Sequence, residues 1–304
     1  MSAPAAAPEV RRRRRGREVL TALPWLGPVL LLIVGVVFFP AGYMIWTSTR
    51  EMSRFGVDRG PVGLENYSNL LAFEPLPRVF LNTVIWVVGV VAVTLLVSLA
   101  LAQFLSKAFP GRRFVRIAVI VPWAASVVMT STVFLYALDP FYGIGNKLLV
   151  DLGILDEPYG FTRNPVSAFA VAMAVAVFVS LPFTTYTLIA GLQAVPMEVH
   201  EAAQIDGATP WQRYRHMTLP LLRPAVAVAT IINIINVFNS LPILEVITGA
   251  LPGYAADTTT TLIFKFIRGQ GQIHTASALS VLNFVIVLAV IGAYIKIVKP
   301  MRDV

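Results

Sequence analysis

The chain has 304 residues, of which 57% are hydrophobic and only 13% are charged. Because about 25% of the residues of a soluble domain are charged, this composition argues against a soluble globular enzyme, and its hydrophobicity excludes an intrinsically disordered chain. The sequence contains no Cys, which excludes disulfides, thiol nucleophiles and Cys-ligated zinc or iron–sulfur centres.

Six stretches of 20 residues or more contain no Asp, Glu, Lys or Arg. They cover residues 24–46, 79–105, 117–138, 166–192, 225–244 and 275–295. As a helix, each is long enough to cross a hydrocarbon core of about 30 Å, where the backbone must satisfy its own hydrogen bonds. We therefore predict an all-α integral membrane protein with six transmembrane helices. Residues 24–304 form the membrane domain, and residues 1–23 form a basic N-terminal tail.

Lys and Arg are distributed unequally between the two sides of the predicted membrane domain. With six spans both termini share one side, which carries sixteen basic and six acidic residues, against eight and ten on the other side. Since cytoplasmic loops carry the excess of Lys and Arg, both termini are predicted to be cytoplasmic. The run Arg11–Arg15 then lies beside anionic lipid headgroups, and no folded basic domain with interleaved aromatic residues supports a nucleic-acid partner.

The six stretches also lack His, and the sequence contains no Walker A loop and no metalloprotease or hydrolase motif. An ion-coupled secondary transporter typically places carboxylates or broken inverted repeats within the membrane, so this alternative is the weaker one. A membrane enzyme would need clustered acids or His at the end of a span, where Asp139 stands alone. If the chain transports a solute, its energy source is expected on a partner.

The predicted cytoplasmic segment 196–224 is typical of two short helices joined by a sharp turn. Asp206 and Gly207 can end the first helix, because Gly readily adopts the left-handed conformation. Thr209 then predicts the N-cap of a second helix that continues to about Met217. Such a segment would project into the cytoplasm as a helical knob with small side chains that permit close approach by another protein.

Within this segment, the residues Glu-Ala-Ala-Gln-Ile-Asp-Gly-Ala at 201–208, followed by Leu219-Pro220, resemble the EAA loop of binding-protein-dependent ABC importer permeases. In that family the loop is a coupling helix that docks into a cleft of a cytoplasmic ATPase subunit. The resemblance implies that the docking surface of this chain is formed by five residues. They are Glu201, Ala202, Ala203, Asp206 and Gly207.

The resemblance also implies the type I ABC importer permease fold and a prokaryotic cell (inner) membrane location. It implies a second permease subunit in a heterodimer, an extracytoplasmic solute-binding protein, and two ATPase subunits that bind ATP and magnesium. The chain itself is then a transport subunit with no cofactor, no metal and no ATPase site.

Similar residues of carbohydrate-type importer permeases occur at 63–67, 81–83, 122–123 and 247–253. The whole pattern most resembles the maltose- and glycerol-phosphate-type first permease subunits, although Ile247 and Ala250 depart from the usual family sequence.

The fifth stretch carries three amides at i, i+3 and i+6, Asn233, Asn236 and Asn239, which lie on one arc of a helix. They either hydrogen-bond between helices or line a solvated cavity, and three amides in seven residues favour the cavity. Phe238 and Ser240 add an aromatic face and a hydroxyl group, a combination that suits a sugar. In the related permeases, this helix supplies residues that contact sugar.

Tyr186, which follows a kink expected at Pro182, and Asn283 in the sixth stretch are further candidates for the solute pathway. Asn82 is expected to hold helices together, and Trp46, Trp86 and Trp123 are interpreted as interface or packing residues.

The absence of Lys and Arg from the spans favours a neutral sugar, oligosaccharide or polyol, because an anionic solute would be expected to pair with a cation. The partner permease could supply such a cation, so a charged or phosphorylated solute such as glycerol phosphate stays as the alternative.

Overall fold

The computed structural model describes residues 24–249 and 251–298, and the predicted basic tail at 1–23 lies outside these ranges. Helices account for nearly all of the regular structure. In chain order the elements are α1 (Pro24–Ser48), β1 (Arg50–Met52), β2 (Asp58–Pro61), α2 (Glu65–Leu71), α3 (Leu76–Ser106), α4 (Arg112–Ala124), α5 (Val127–Ala137), α6 (Ile144–Asp151), α7 (Pro165–Gln193), α8 (Met197–Ile205), α9 (Pro210–Leu221), α10 (Arg223–Phe238), α11 (Leu241–Thr248), α12 (Thr259–Lys265) and α13 (Ile273–Val298).

Four single helices, α1, α3, α7 and α13, are long and apolar enough to cross a membrane. Two bent pairs meet the same criterion, α4 with α5 at an angle of 100° and α9 with α10 at 62°. The described chain therefore provides up to six spans, and the predicted all-α class is confirmed. The orientation of these spans in the membrane stays a prediction.

Two of the predicted stretches differ from a single continuous helix. Between α4 and α5, Ala125 and Ser126 have extended backbones, and Pro122 in the preceding turn has no N–H to donate to the helix. The stretch 225–244 is interrupted after Phe238, where the chain turns before α11 begins. Charge-free composition marks where the chain can be buried in lipid, but it does not report these breaks.

The core forms where α7 packs along α3, and α10 and α11 pack against α7. Small residues allow the close approach of α3 and α7, and a methyl group at Gly89 would collide with the side chain of Met173. Trp86 of α3 is 1% exposed, and its Nε1–H donates a hydrogen bond of 2.8 Å to the carbonyl of Val237 on α10. The packing role expected of Trp86 is confirmed.

Two asparagines fasten the loops at the ends of the spans. Asn66 Nδ2 donates to the carbonyls of Ser48 and Arg50, both at 2.9 Å, and so ties the end of α1 to α2. Asn82 Nδ2 donates to the carbonyls of Ala255 and Asp257 at 3.0 and 2.9 Å. Asn82 therefore holds a loop rather than another helix, because the chain before α12 folds back over the start of α3.

The loop held by Asn82 contains a second, charged attachment. Lys265 Nζ lies 2.8 Å from Asp257 Oδ2, and the Asp257 side chain is only 5% exposed. Thr261 Oγ1 donates to the other carboxylate oxygen at 3.1 Å. A nearly buried carboxylate is stable when it is paired and hydrogen-bonded in this way. The loop is thus fixed at both its backbone and its side chains.

Candidate coupling loop and solute cavity

The segment between α7 and α10 has the two-helix form expected from the sequence. α8 ends at Ile205, Gly207 adopts φ +74°, and the N–H of Ala208 donates to the carbonyl of Ala203 at 3.0 Å. A left-handed Gly after the last turn is a common way to satisfy helix carbonyls, so the predicted stop is confirmed. The change of chain direction after α8 therefore depends on residues that are close in sequence.

The second helix of the loop begins with a reciprocal cap. The Gln212 N–H donates to Thr209 Oγ1, and the Thr209 N–H donates to Gln212 Oε1. The N-cap predicted at Thr209 is confirmed. α9 extends to Leu221, beyond the predicted end near Met217, and it contains a π-helical turn at Tyr214–Thr218.

The predicted docking residues divide between surface and interior. Glu201, Asp206 and Gly207 are exposed, whereas Ala203 is completely buried within the chain. Ala202 lies within α8. Ala203 therefore supports the loop from inside in this chain, and the exposed members are two carboxylates and the turn glycine. Their docking role stays a prediction.

The same segment also exposes large apolar side chains near these carboxylates in the sequence. The exposed fractions are 71% for Met197, 86% for Ile205 and 65% for Trp211. Exposed apolar and aromatic side chains together with polar groups are typical of a protein-docking surface. The physical character of the loop therefore agrees with the role that its sequence implies.

A cavity of about 430 Å³ lies among five helices, at the break between α4 and α5 and at the end of α10. This volume is within the range of about 300–1,000 Å³ typical of small-molecule sites. The residues that line it are Trp123, Val127, Ala176, Val179, Ser180, Phe183, Ile232, Asn233, Asn236, Val237, Asn239, Ser240, Pro242 and Ile243. None of these lining residues is charged.

Asn233 is the buried anchor of the cavity wall. It is 2% exposed, and its Nδ2 donates at 2.8 Å both to Thr184 Oγ1 on α7 and to the carbonyl of Ala229. Thr184 Oγ1 in turn donates to the carbonyl of Ser180, also at 2.8 Å. The interhelical role and the cavity-lining role considered for this amide occur together, because the residue borders the cavity while binding α7.

Asn236 and Asn239 are exposed and border the same cavity, with Ser240 beside them. Asn239 Nδ2 donates to the carbonyl of Ile235 at 2.9 Å, which fixes the direction of this amide. Four of the seven residues predicted for the solute pathway thus lie on one wall: Asn233, Asn236, Asn239 and Ser240. The arrangement offers both donors and acceptors to a polyhydroxylated molecule.

Phe238 and Asn283 border a different space, a groove of about 180 Å³ between α3, α10 and α13. Phe238 is separated from Asn239 because consecutive residues of a helix point about 100° apart. Tyr186 lines neither of these two spaces, and its hydroxyl group donates to the carbonyl of Arg116 at 3.0 Å. The structure therefore does not bring these three residues to the amide-lined wall.

The aromatic faces of the cavity come from Trp123 and Phe183, and Ser180 adds a hydroxyl group. Trp123 is expected from the sequence to be an interface or packing residue, whereas the structure places it on the cavity wall with 65% of its surface exposed. Its position beside the α4–α5 break is the reason. The Pro122-Trp123 pair is the only local signal for it, and Phe183 and Ser180 give no local signal.

Comparison with known proteins assigns this arrangement to a family. Residues 80–300 match the family described as "Binding-protein-dependent transport system inner membrane component". A probable ABC transporter permease protein of Brucella suis biovar 1 (strain 1330) is 34% identical over 270 residues, 89% of this chain and 93% of that protein. The trehalose/maltose transport system permease protein MalF of Thermococcus litoralis is 32% identical over 287 residues, 94% of this chain and 96% of that protein.

The fold is similar to that in a crystal structure of a bacterial alginate ABC transporter in complex with an alginate pentasaccharide-bound periplasmic protein. The TM-score is 0.82 at 20% sequence identity, over 96% of this chain and 98% of that chain.

Proposed function

The chain belongs to the family of inner-membrane permease components of binding-protein-dependent transport systems, and we propose that it forms half of the translocation pathway of an ATP-driven importer for a neutral sugar, oligosaccharide or polyol. The observation that carries the solute class is the uncharged cavity with three amides, two hydroxyl-bearing serines and two aromatic rings. The name of the Thermococcus relative, a trehalose/maltose transport permease, supports the same class.

The chemistry of the cavity suits sugar hydroxyl groups. Each exposed amide supplies an acceptor and donors, while the rings of Trp123 and Phe183 supply apolar faces for the C–H surface of a sugar ring. A phosphate or carboxylate would be desolvated there without a cation among the residues that line the cavity. The neutral solute is therefore favoured over glycerol phosphate.

The coupling loop is the proposed attachment for the energy source. Two cytoplasmic ATPase subunits, which bind ATP and magnesium, would dock on the exposed residues Glu201, Asp206 and Gly207. α8 and α9 are short helices with well-defined ends, and α9 leads through Leu222 directly into α10. A displacement of the loop would thus move α10, which carries Asn233 and Asn236 at the cavity.

In the complete importer, a second permease would form the other half of the pathway and an extracytoplasmic binding protein would deliver the solute. Closure of the ATPase pair would switch access to the cavity from the cytoplasmic side to the outer side. The chain would contribute half of the pathway and the coupling loop, and its partner ATPases would bind and hydrolyse ATP.

Reconstitution of the complex in proteoliposomes tests the proposal. Uptake of radiolabelled maltose, trehalose, glycerol and sn-glycerol 3-phosphate should be measured with the binding protein present, with and without ATP. ATP-dependent uptake of a neutral compound is expected. Uptake restricted to sn-glycerol 3-phosphate would contradict the neutral-solute class, and ATP-independent uptake driven by an ion gradient would contradict the importer assignment.

A further inference from the structure

The groove between α3, α10 and α13 contains a buried amide that the described chain leaves without a partner. Asn283 is 8% exposed, and its Oδ1 atom is buried and has no hydrogen-bond partner among the described residues. Most of the surrounding side chains are apolar. The groove is lined by Phe80, Thr83, Val84, Val87, Val88, Ile234, Phe238, Thr259, Asn283, Ile286, Val287 and Val290.

The two threonines of the groove do not supply the missing hydrogen bond. Thr83 Oγ1 donates to the carbonyl of Val79 at 2.8 Å and accepts the N–H of Thr259 at 2.9 Å. An unpaired carbonyl in an apolar environment is destabilising, and lipid acyl chains have no donor to offer. A lipid tail could therefore fill the groove but would leave Asn283 unsatisfied.

The dimensions of the groove indicate a packed helix rather than a transported solute. Its volume of about 180 Å³ is below the range of about 300–1,000 Å³ of small-molecule sites, but it accommodates a few interdigitating side chains. Exposed apolar residues line it on both helices, with Val88 of α3 60% exposed and Val290 of α13 44% exposed. These side chains extend the apolar contact surface along α3 and α13.

We propose that this groove receives a transmembrane helix of the second permease, which donates a hydrogen bond from a hydroxyl, amide or indole group to Asn283 Oδ1. The inference rests on the proposed function, since it requires a permease pair. It assigns Asn283 and Phe238 to subunit contact rather than to the solute pathway. Ile234 and Phe238 face the groove while Asn233 and Asn236 border the cavity, so α10 serves two different contacts on two faces.

The substitution Asn283→Leu tests the missing hydrogen bond through two measurements with opposite expectations. The full chain purified alone should have a thermal unfolding midpoint equal to or above that of the wild type, because no described partner is lost. Association with the second permease should weaken by roughly three- to thirtyfold, the range expected for one interhelical hydrogen bond in a membrane.

Asn233→Leu is the matched control, because it removes an amide that binds Thr184 within the chain and should lower the midpoint of the chain alone. An unchanged permease association for Asn283→Leu would overturn the proposal. So would a lowered midpoint of the isolated chain, or an intact complex with reduced solute uptake.

Photo-crosslinking in the purified complete importer identifies the occupant directly. p-Benzoylphenylalanine placed at Val287, which lines the groove, should crosslink to a transmembrane peptide of the second permease that contains a donor side chain. The neighbouring position Leu288 does not line the groove and is the control. Adducts with phospholipid or with solute at Val287 would overturn the proposal.

In the same preparation, the subunit contact at the groove and the neutral solute class are tested independently. ATP-driven uptake by the wild-type importer without the Val287 crosslink would contradict the groove assignment alone. The crosslink in an importer that takes up no neutral solute would support the groove assignment and contradict the proposed solute class.

Discussion

The candidate coupling loop and the candidate solute cavity are built over very different distances in the sequence. The turn of the loop is made by contacts between residues 203 and 212, through the left-handed Gly207 and the cap at Thr209. The cavity combines side chains from residue 123 to residue 243, on five helices. A local structure can be tested by changing one residue, whereas the cavity depends on several helices keeping their positions.

The largest effect is expected from Gly207→Asp. At φ +74° a non-glycine residue is strained by about 1–2 kcal/mol, and the new carboxylate would lie beside Asp206 on the predicted docking surface. Transport by the reconstituted complex should fall at least about tenfold, a change that 1.4 kcal/mol produces, while solute binding to the separate binding protein stays unchanged.

Gly153→Asp provides the matched control for Gly207→Asp. Gly153 has a similar φ of +70° and equally open surroundings, but it lies after α6 and outside the coupling loop. Its uptake should remain close to that of the wild type. Equal losses in the two variants would mean that backbone strain, rather than loss of docking, explains the effect.

The second prediction distinguishes the exposed amide of Asn236 from the buried amide of Asn233 in the cavity wall. Asn236→Ala should reduce uptake by about two- to tenfold, the value of one hydrogen bond to the solute, without lowering the thermal stability of the chain, because Asn236 is exposed. Asn233→Ala should lower stability by about 1–3 kcal/mol, because it leaves a buried site unfilled and Thr184 without its donor.

Uptake assays and thermal unfolding on the same preparations distinguish these outcomes. If Asn236→Ala lowered stability while uptake per folded complex stayed normal, this residue would belong to the packing of the protein rather than to its solute cavity.

A third prediction compares the stability lost when a hydrogen bond between distant parts of the chain is removed with that lost when a local helix cap is removed. Asn82→Ala should destabilise the chain by about 1–3 kcal/mol, because the carbonyls of Ala255 and Asp257 lose their donor. Thr209→Ala should cost about 1 kcal/mol, the usual value of an N-cap. Thermal unfolding monitored by circular dichroism gives both values, and a larger loss for Thr209→Ala would contradict this order.

The smallest effect is expected from acidification of the β1–β2 hairpin. Hydrogen bonds from Arg50 and from the Gly60 N–H lower the pKa of Asp58 below its ordinary value. A lowered folded-state pKa means that the stabilisation is present at neutral pH and is lost as the pH falls below about 5. Limited proteolysis of the hairpin should therefore speed up in acid with an acid-stable protease such as pepsin, compared at pH 3 and pH 5.

Asp58→Asn is the control for this pH dependence, because it removes the titrating group. Its proteolysis rate should change less between the two pH values than that of the wild type. If both proteins responded equally, acid would be acting on another group, such as Asp139, whose pKa is also lowered by the N–H groups of Tyr142 and Phe141.

Much of the fold could be predicted because a helix buried in the membrane requires a long stretch of sequence without charged residues. Long stretches without a charge identify the helices that can lie in lipid, and the turn between α8 and α9 follows from the conformational freedom of Gly207 and the capping chemistry of Thr209. These properties belong to single residues and their close neighbours. The break at Ala125 and Ser126 is different, since a charge-free sequence permits both a straight and a bent helix.

The candidate site was only partly predictable for the same reason. The sequence by itself determined the all-α membrane class, the two-helix form of the candidate coupling loop and the arc of amides on α10, because these depend on composition, local backbone chemistry and helical period. Only the tertiary structure decided that Trp123 and Phe183 face those amides and that Phe238 and Asn283 lie in another groove. Which face of a helix meets a cavity depends on how neighbouring helices bend and pack, and residues far apart in the sequence determine that packing.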